Sequence, residues 1–68
     1  MNVSYAMCER VVKRDAHIRH FVRFGWWRVF LEGRCFQGQT RSAAIGEAAT
    51  DLQRRLEADL RTNYDLPT

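Results

Sequence analysis

Hydrophobic and polar positions alternate with a period of two between Ile18 and Gln39, and with a period near 3.6 from Ser42 onward. The first period belongs to extended strands and the second to a helix with one apolar stripe. In the strand stretch Ile18, His20, Val22 and Phe24 share one face, and Arg19, Phe21 and Arg23 the other. Gly25-Trp26 then reads as a two-residue loop of type II′, which sets Phe24 opposite Trp27, Val22 opposite Val29 and His20 opposite Leu31. A second turn at Glu32-Gly33, with glycine supplying the positive φ, sets Val29 opposite Phe36 and Phe30 opposite Cys35. Both pairings keep apolar faces matched, and a slip of one residue would reverse every side chain.

The expectation is a three-stranded antiparallel meander over residues 17–39. Its inner face holds Ile18, Val22, Phe24, Trp27, Val29, Leu31 and Phe36, with Arg34 at its end. Its outer face holds Arg19, Phe21, Arg23, Arg28, Phe30, Cys35, Gln37 and Gln39, with Trp26 at the edge.

Gly38-Gln39-Thr40 breaks the last strand, and Thr40 or Ser42 caps a helix over residues 42–61. Ile45, Ala48, Ala49, Leu52, Leu56 and Leu60 form its apolar stripe, interrupted by Asp59. The small residues Ala44, Gly46, Ala48 and Ala49 predict close approach to the bulky rings of the sheet. A helix of that length extends roughly 30 Å and overhangs strands of roughly 20 Å. Leu56 and Leu60 therefore need cover from the amino-terminal segment, from Tyr64 and Leu66 folding back, or from a second copy in a homodimer. Residues 1–16 read as a short helix over 5–13 capped by Ser4, with Cys8, Val11 and Val12 on one face. The alternation of Val3, Tyr5 and Met7 leaves a strand as the other possibility. Residues 62–68 read as a tail. The whole, 1–68, is one α+β domain with the long helix covering one face of the sheet.

A domain of 68 residues buries only about 60% of the surface its unfolded chain exposes, and a core of that size supplies roughly 3–5 kcal/mol. That leaves little room for a deep catalytic cleft, so an enzyme is not expected. The net charge of +3 is uneven: residues 1–41 carry eight Lys/Arg against three Asp/Glu, and residues 42–68 three against five. A basic sheet half suggests an electrostatically oriented partner, nucleic acid being the usual one, although ordinary solubility needs no more charge than this. Ten of the eleven basic residues are arginine, which suits bidentate phosphate contacts and stacking and equally matches a GC-rich coding sequence. Two cysteines, with no signal peptide ahead of them, read as a reduced cytoplasmic protein, and no apolar run is long enough for a membrane span.

His17, His20, Cys8 and Cys35 do not make a zinc set, because histidines three apart on a strand face opposite sides and neither cysteine belongs to a Cys-x-x-Cys knuckle. His20 reads as a core-edge histidine, His17 as a loop residue, and Cys35 as a buried or half-buried thiol beside Phe30. No catalytic set, metal site or cofactor is expected. What remains is the outer face, where Arg19, Arg23 and Arg28 can neutralise phosphates while Phe21, Phe30 and Trp26 offer stacking or apolar contact. Arginine and aromatic residues are also enriched at protein-interface hot spots, and residues 1–16 folded over this face would make it a second small core.

From Trp27 to Leu52 the chain is similar to the carboxy-terminal half of a double-stranded-RNA-binding domain: an alternating strand, Gly33 at a turn, Gly38 before the helix, then Ala48-Ala49 and Leu52. With a helix at 5–13 the resemblance implies the order αβββα. The basic cluster that such domains carry at the start of the last helix is replaced here by Arg41-Ser42-Ala43-Ala44. The hairpin-plus-helix also looks like the sheet-reading amino-terminal domains of some phage integrases, and like small phage-borne inhibitors, including anti-CRISPR proteins. The expected function is non-catalytic binding to nucleic acid or to a complex that processes it. The alternative is a phage-type inhibitor that blocks a larger protein complex by covering its surface.

Overall fold

The computed structural model describes residues 3–65, with side chains as far as residue 61. Helix α1 (Tyr5–Asp15) leads into strands β1 (His17–Phe21), β2 (Trp26–Leu31) and β3 (Arg34–Gly38), and helix α2 (Arg41–Asp65) follows. The strands form one antiparallel sheet in the order β1-β2-β3. This is a small α+β domain with a meander sheet and a long carboxy-terminal helix packed on it.

The amino-terminal segment is the helix rather than the strand. Ser4 accepts from the Met7 amide at 3.4 Å, an N-cap that satisfies one of the free donors of the first turn. Lys13 and Glu9 pair at 2.9 Å along its outside. Cys8 and Val12, one turn apart, are buried. The Ala16 amide closes the last turn onto the Val12 carbonyl at 2.9 Å.

The β2–β3 hairpin has the expected register, with Val29 opposite Phe36 and Phe30 opposite Cys35. Both turn residues are left-handed, Glu32 at φ 51° and Gly33 at φ 77°. Positive φ at both central positions is the pattern of a type I′ turn, whose twist matches that of the flanking strands.

The β1–β2 hairpin differs from the expectation. His20 lies opposite Trp27, Ile18 opposite Val29 and Phe21 opposite Trp26, four residues away from the expected pairing. Val22, Arg23 and Phe24 leave the strand as one turn of 3₁₀ helix, closed by Gly25 at φ 76°. The Gly25 amide points at the carbonyls of Phe21 and Val22, at 3.0 and 3.2 Å. A shift by an even number keeps every β1 residue on its face, so alternation alone does not tell the two registers apart. Burial does. A two-residue loop would set Ile18 opposite Gly33 in the next turn, beyond the end of β2, whereas the observed register sets it against fully buried Val29. The consequence is that Val22 and Phe24 are not inner-face core residues; they are 74% and 67% exposed.

The inner face of the sheet and the two helices share one core of Cys8, Val12, Val29, Leu31, Ala44, Ile45, Ala48, Ala49 and Leu52. Helix α2 packs on β2 and β3, and α1 packs along α2. The α1–α2 contacts run in opposite chain directions: Gln53 donates to the Val3 carbonyl at 2.9 Å, and Lys13 reaches a cavity that Arg41 also lines. Gly46 does not admit a ring of the sheet. It admits α1, since a Cβ there would lie 3.3 Å from the Tyr5 hydroxyl.

Thr40, one of the two expected caps, accepts from the Ala43 amide at 3.0 Å and starts α2 at Arg41. Gly38 is more than a strand breaker, because a Cβ on it would lie 2.5 Å from the Ala44 nitrogen. The first turn of α2 therefore rests directly on the end of β3. Further along, Arg34 reaches Asp51 at 3.4 Å and Arg55 reaches Glu32 at 3.0 Å, tying the β2–β3 turn to the middle of α2. The helix continues past this point to Asp65, four residues into the stretch read as a tail. Leu56 is 39% exposed and Leu60 half-buried. The expected cover from Tyr64 and Leu66 falls outside the described side chains. Among the described residues no helix is long and apolar enough to cross a membrane.

Candidate functional site

The outer face of the sheet contributes nothing to the core, and no described element packs on it. Residues 1–16 were one candidate to cover it, and α1 lies along α2 instead. Pairing arranges the face in rows across the strands. His17, Phe30 and Cys35 form one row, Arg19, Arg28 and Gln37 the next, and Phe21 with Trp26 the last before the β1–β2 turn.

Arg19 and Arg28 are directly opposite each other. Like charges in that position repel, and the structure offsets this with the ring of Phe21. The two guanidinium carbons lie 5.5 and 5.1 Å from the ring centroid, within the range of a cation–π contact. Arg28 also donates from Nε to the Gln37 side-chain oxygen at 3.3 Å. His17 and Phe30 meet at 6.2 Å between ring centroids, tilted by 45°.

None of the three strands contains an aspartate or glutamate. The ion pairs join Lys13 to Glu9, Arg14 to Asp15, Arg34 to Asp51, and Arg55 to Glu32 and Asp51. All of these lie on the helices or where the β2–β3 turn meets α2. Arg19, Arg23 and Arg28 have no carboxylate partner among the described residues. The positive charge of the outer face is thus left for solvent or a ligand.

Of the residues that the sequence singles out, Arg19, Phe21, Trp26, Arg28 and Phe30 share this face, with Trp26 at its edge in the last pair, opposite Phe21. Arg23 lies past the end of the face, in the 3₁₀ turn. Cys35 is exposed, not buried beside Phe30. His17 is the first residue of β1 rather than a loop residue, and so joins the face. His20, on the inner side, lies flat on Trp27 with centroids 4.1 Å apart and planes 3° apart. Phe24 was missed as a surface residue. The available signal was the unfavourable Ile18–Gly33 match that a two-residue loop implies.

Elsewhere the chemistry is sparse. A cavity of about 250 Å³ between α1 and the first turn of α2 is lined by Tyr5, Glu9, Lys13, Arg41, Ser42 and Ile45. Its lysine is engaged by Glu9 and the adjacent Ala43 amide by Thr40. Cys8 is in the core and Cys35 on the opposite side of the sheet. Burial first, and the nearby charge of Glu57 second, push the Cys8 thiol above its ordinary pKa, the direction of an inert rather than a nucleophilic thiol. Among the described residues no three histidine, cysteine or acidic side chains converge on a metal position.

Comparison of the chain with protein-family models, with curated proteins and with solved structures finds no match.

Proposed function

We infer that this is a non-catalytic binding protein that engages nucleic acid, or a complex carrying it, through the outer face of its sheet. The observation that supports this best is the pairing of Arg19 with Arg28 over the Phe21 ring, on a sheet whose strands contain no carboxylate. Arg10, Arg41 and Arg54 also lack an ion pair among the described residues, but they lie on the helices. Keeping cations together without counter-charge costs stability, and a polyanion offsets that cost on binding. Phe21 holds Arg19 and Arg28 over its ring, and Trp26 and Phe30 supply apolar contact on either side of the arginine row. The start of α2 is a weaker candidate, since Arg41 is its one cation within the first turn.

The test is fluorescence anisotropy with labelled single-stranded DNA, duplex DNA and duplex RNA at two salt concentrations, for the wild type and an Arg19→Ala/Arg28→Ala variant. The expected result is affinity that falls with salt in the wild type. In the variant the slope of log K against log salt should flatten by roughly 1.4 to 1.8, the loss of two phosphate contacts. Absence of binding to every probe at low salt overturns the inference. Stoichiometric complex formation with a protein assembly, without affinity for bare nucleic acid, would instead favour the phage-type inhibitor, because the same arginines and rings suit a protein hot spot.

A further inference from the structure

We propose that Phe24, at the tip of the β1–β2 hairpin, stacks on an unpaired base of a single-stranded nucleic acid whose phosphates lie on Arg23, Arg19 and Arg28. This rests on the reading of the outer face given above and adds to it the form of nucleic acid that is preferred.

The rings on the sheet are largely taken. Phe21 has two guanidiniums against it, Trp27 is covered by His20, and Phe30 has His17 beside it. Trp26 has no such partner among the described residues, but it is half-buried in the last strand pair, opposite Phe21. Phe24 is 67% exposed and has neither a ring nor a guanidinium against it among the described residues. A domain with so small a core that leaves Phe24 and Val22 in water forgoes burial it needs. Nor is the tip a loose loop. Its 3₁₀ turn is closed by the Gly25 amide onto Phe21 and Val22 and by the left-handed Gly25 backbone. A backbone held this way loses little freedom on binding.

The tip follows directly on the Phe21–Trp26 pair that ends the outer face, and Arg23 stands between Val22 and Phe24. A nucleic-acid strand that runs along β1 and β2, with phosphates on Arg19 and Arg28 and then on Arg23, therefore brings a base to Phe24. In a duplex the faces of the bases are already stacked on their neighbours. An aromatic ring beside a basic groove accordingly selects unpaired bases with little regard to sequence.

The test uses a single strand carrying 2-aminopurine and the same strand annealed to its complement, at matched salt. The proteins are the wild type, Phe24→Ala and Phe24→Leu, with thermal unfolding run on each to verify the fold. The wild type should bind the single strand more tightly than the duplex and change the 2-aminopurine emission. Phe24→Ala should weaken single-strand binding at least about five-fold, lose the emission change, and keep the salt dependence and the duplex affinity. Phe24→Leu, apolar without a π face, should also lose the emission change. If Phe24→Ala keeps wild-type affinity and emission while binding stays salt-dependent, the role of the tip is refuted and the arginine face stands. Equal weakening on both probes refutes base stacking, and failure of the wild type to bind either probe refutes the arginine face together with the tip.

Discussion

Replacing Gly38 by alanine tests how α2 is seated on the sheet. The added Cβ would lie 2.5 Å from the Ala44 nitrogen and 2.9 Å from both the carbonyl carbon and the Cβ of Ala43. Two of those three atoms are backbone, so no rotamer change relieves the contact. Restoring an ordinary separation of 3.4 Å requires the first turn of α2 to lift by about 0.9 Å, and with it Ala44 and Ile45, which are buried in the core. Overpacking of this kind costs about 1–3 kcal/mol. Alanine in a strand otherwise gains about 0.5–1 kcal/mol over glycine, so the net loss should centre on about 1.2 kcal/mol, with an upper bound of about 2.5 kcal/mol. For a domain of this size the central value lowers the melting temperature by roughly 5–10 °C, and urea denaturation followed by circular dichroism reads it directly. Gly33 provides the contrast: a Cβ there meets nothing within 4 Å and the constraint is φ of 77°. Asparagine tolerates that conformation, so Gly33→Asn should cost less than Gly33→Ala, whereas Gly38→Asn should be no better than Gly38→Ala. A Gly38→Ala variant as stable as the wild type would refute the direct seating of α2 on β3.

Val29→Ala removes a fully buried side chain from the core that the sheet shares with the two helices. It should cost about 2 kcal/mol, near half of what a core of this size supplies; urea midpoints within error of wild type would show that Val29 is not at the centre of the core. The Cys8 thiol has its pKa raised in the folded state, chiefly by burial and then by Glu57. The unfolded chain therefore ionises first, and the contribution of Cys8 to stability is full below about pH 8.5 and falls as pH rises toward the folded value. Urea unfolding between pH 7 and pH 10 should show a smaller decline for Cys8→Ala than for the wild type, and equal declines would contradict the assigned cause.

Periodicity carried most of the architecture into view. The β2–β3 hairpin was legible because Glu32-Gly33 leaves one short loop that matches apolar faces, and α2 because its stripe repeats over many turns. Ser4 and Thr40 marked two helix starts by local chemistry alone. The faces of β1 were also determined locally, since alternation survives any even shift of register, and so five of the six candidate binding residues fell together on one face. What local pattern did not contain was the choice among those even shifts. The match of Ile18 to Val29 depends on where the helices close the core, and that is a property of the packed molecule. The same packing expelled Val22 and Phe24, drew α1 onto α2 rather than onto the outer face, and turned Gly38 from a strand breaker into a close contact. The sequence by itself determined which side chains could share a face, because side-chain period is a property of each element. Tertiary structure decided which faces were left uncovered, because burial is limited by how many elements one small core can hold.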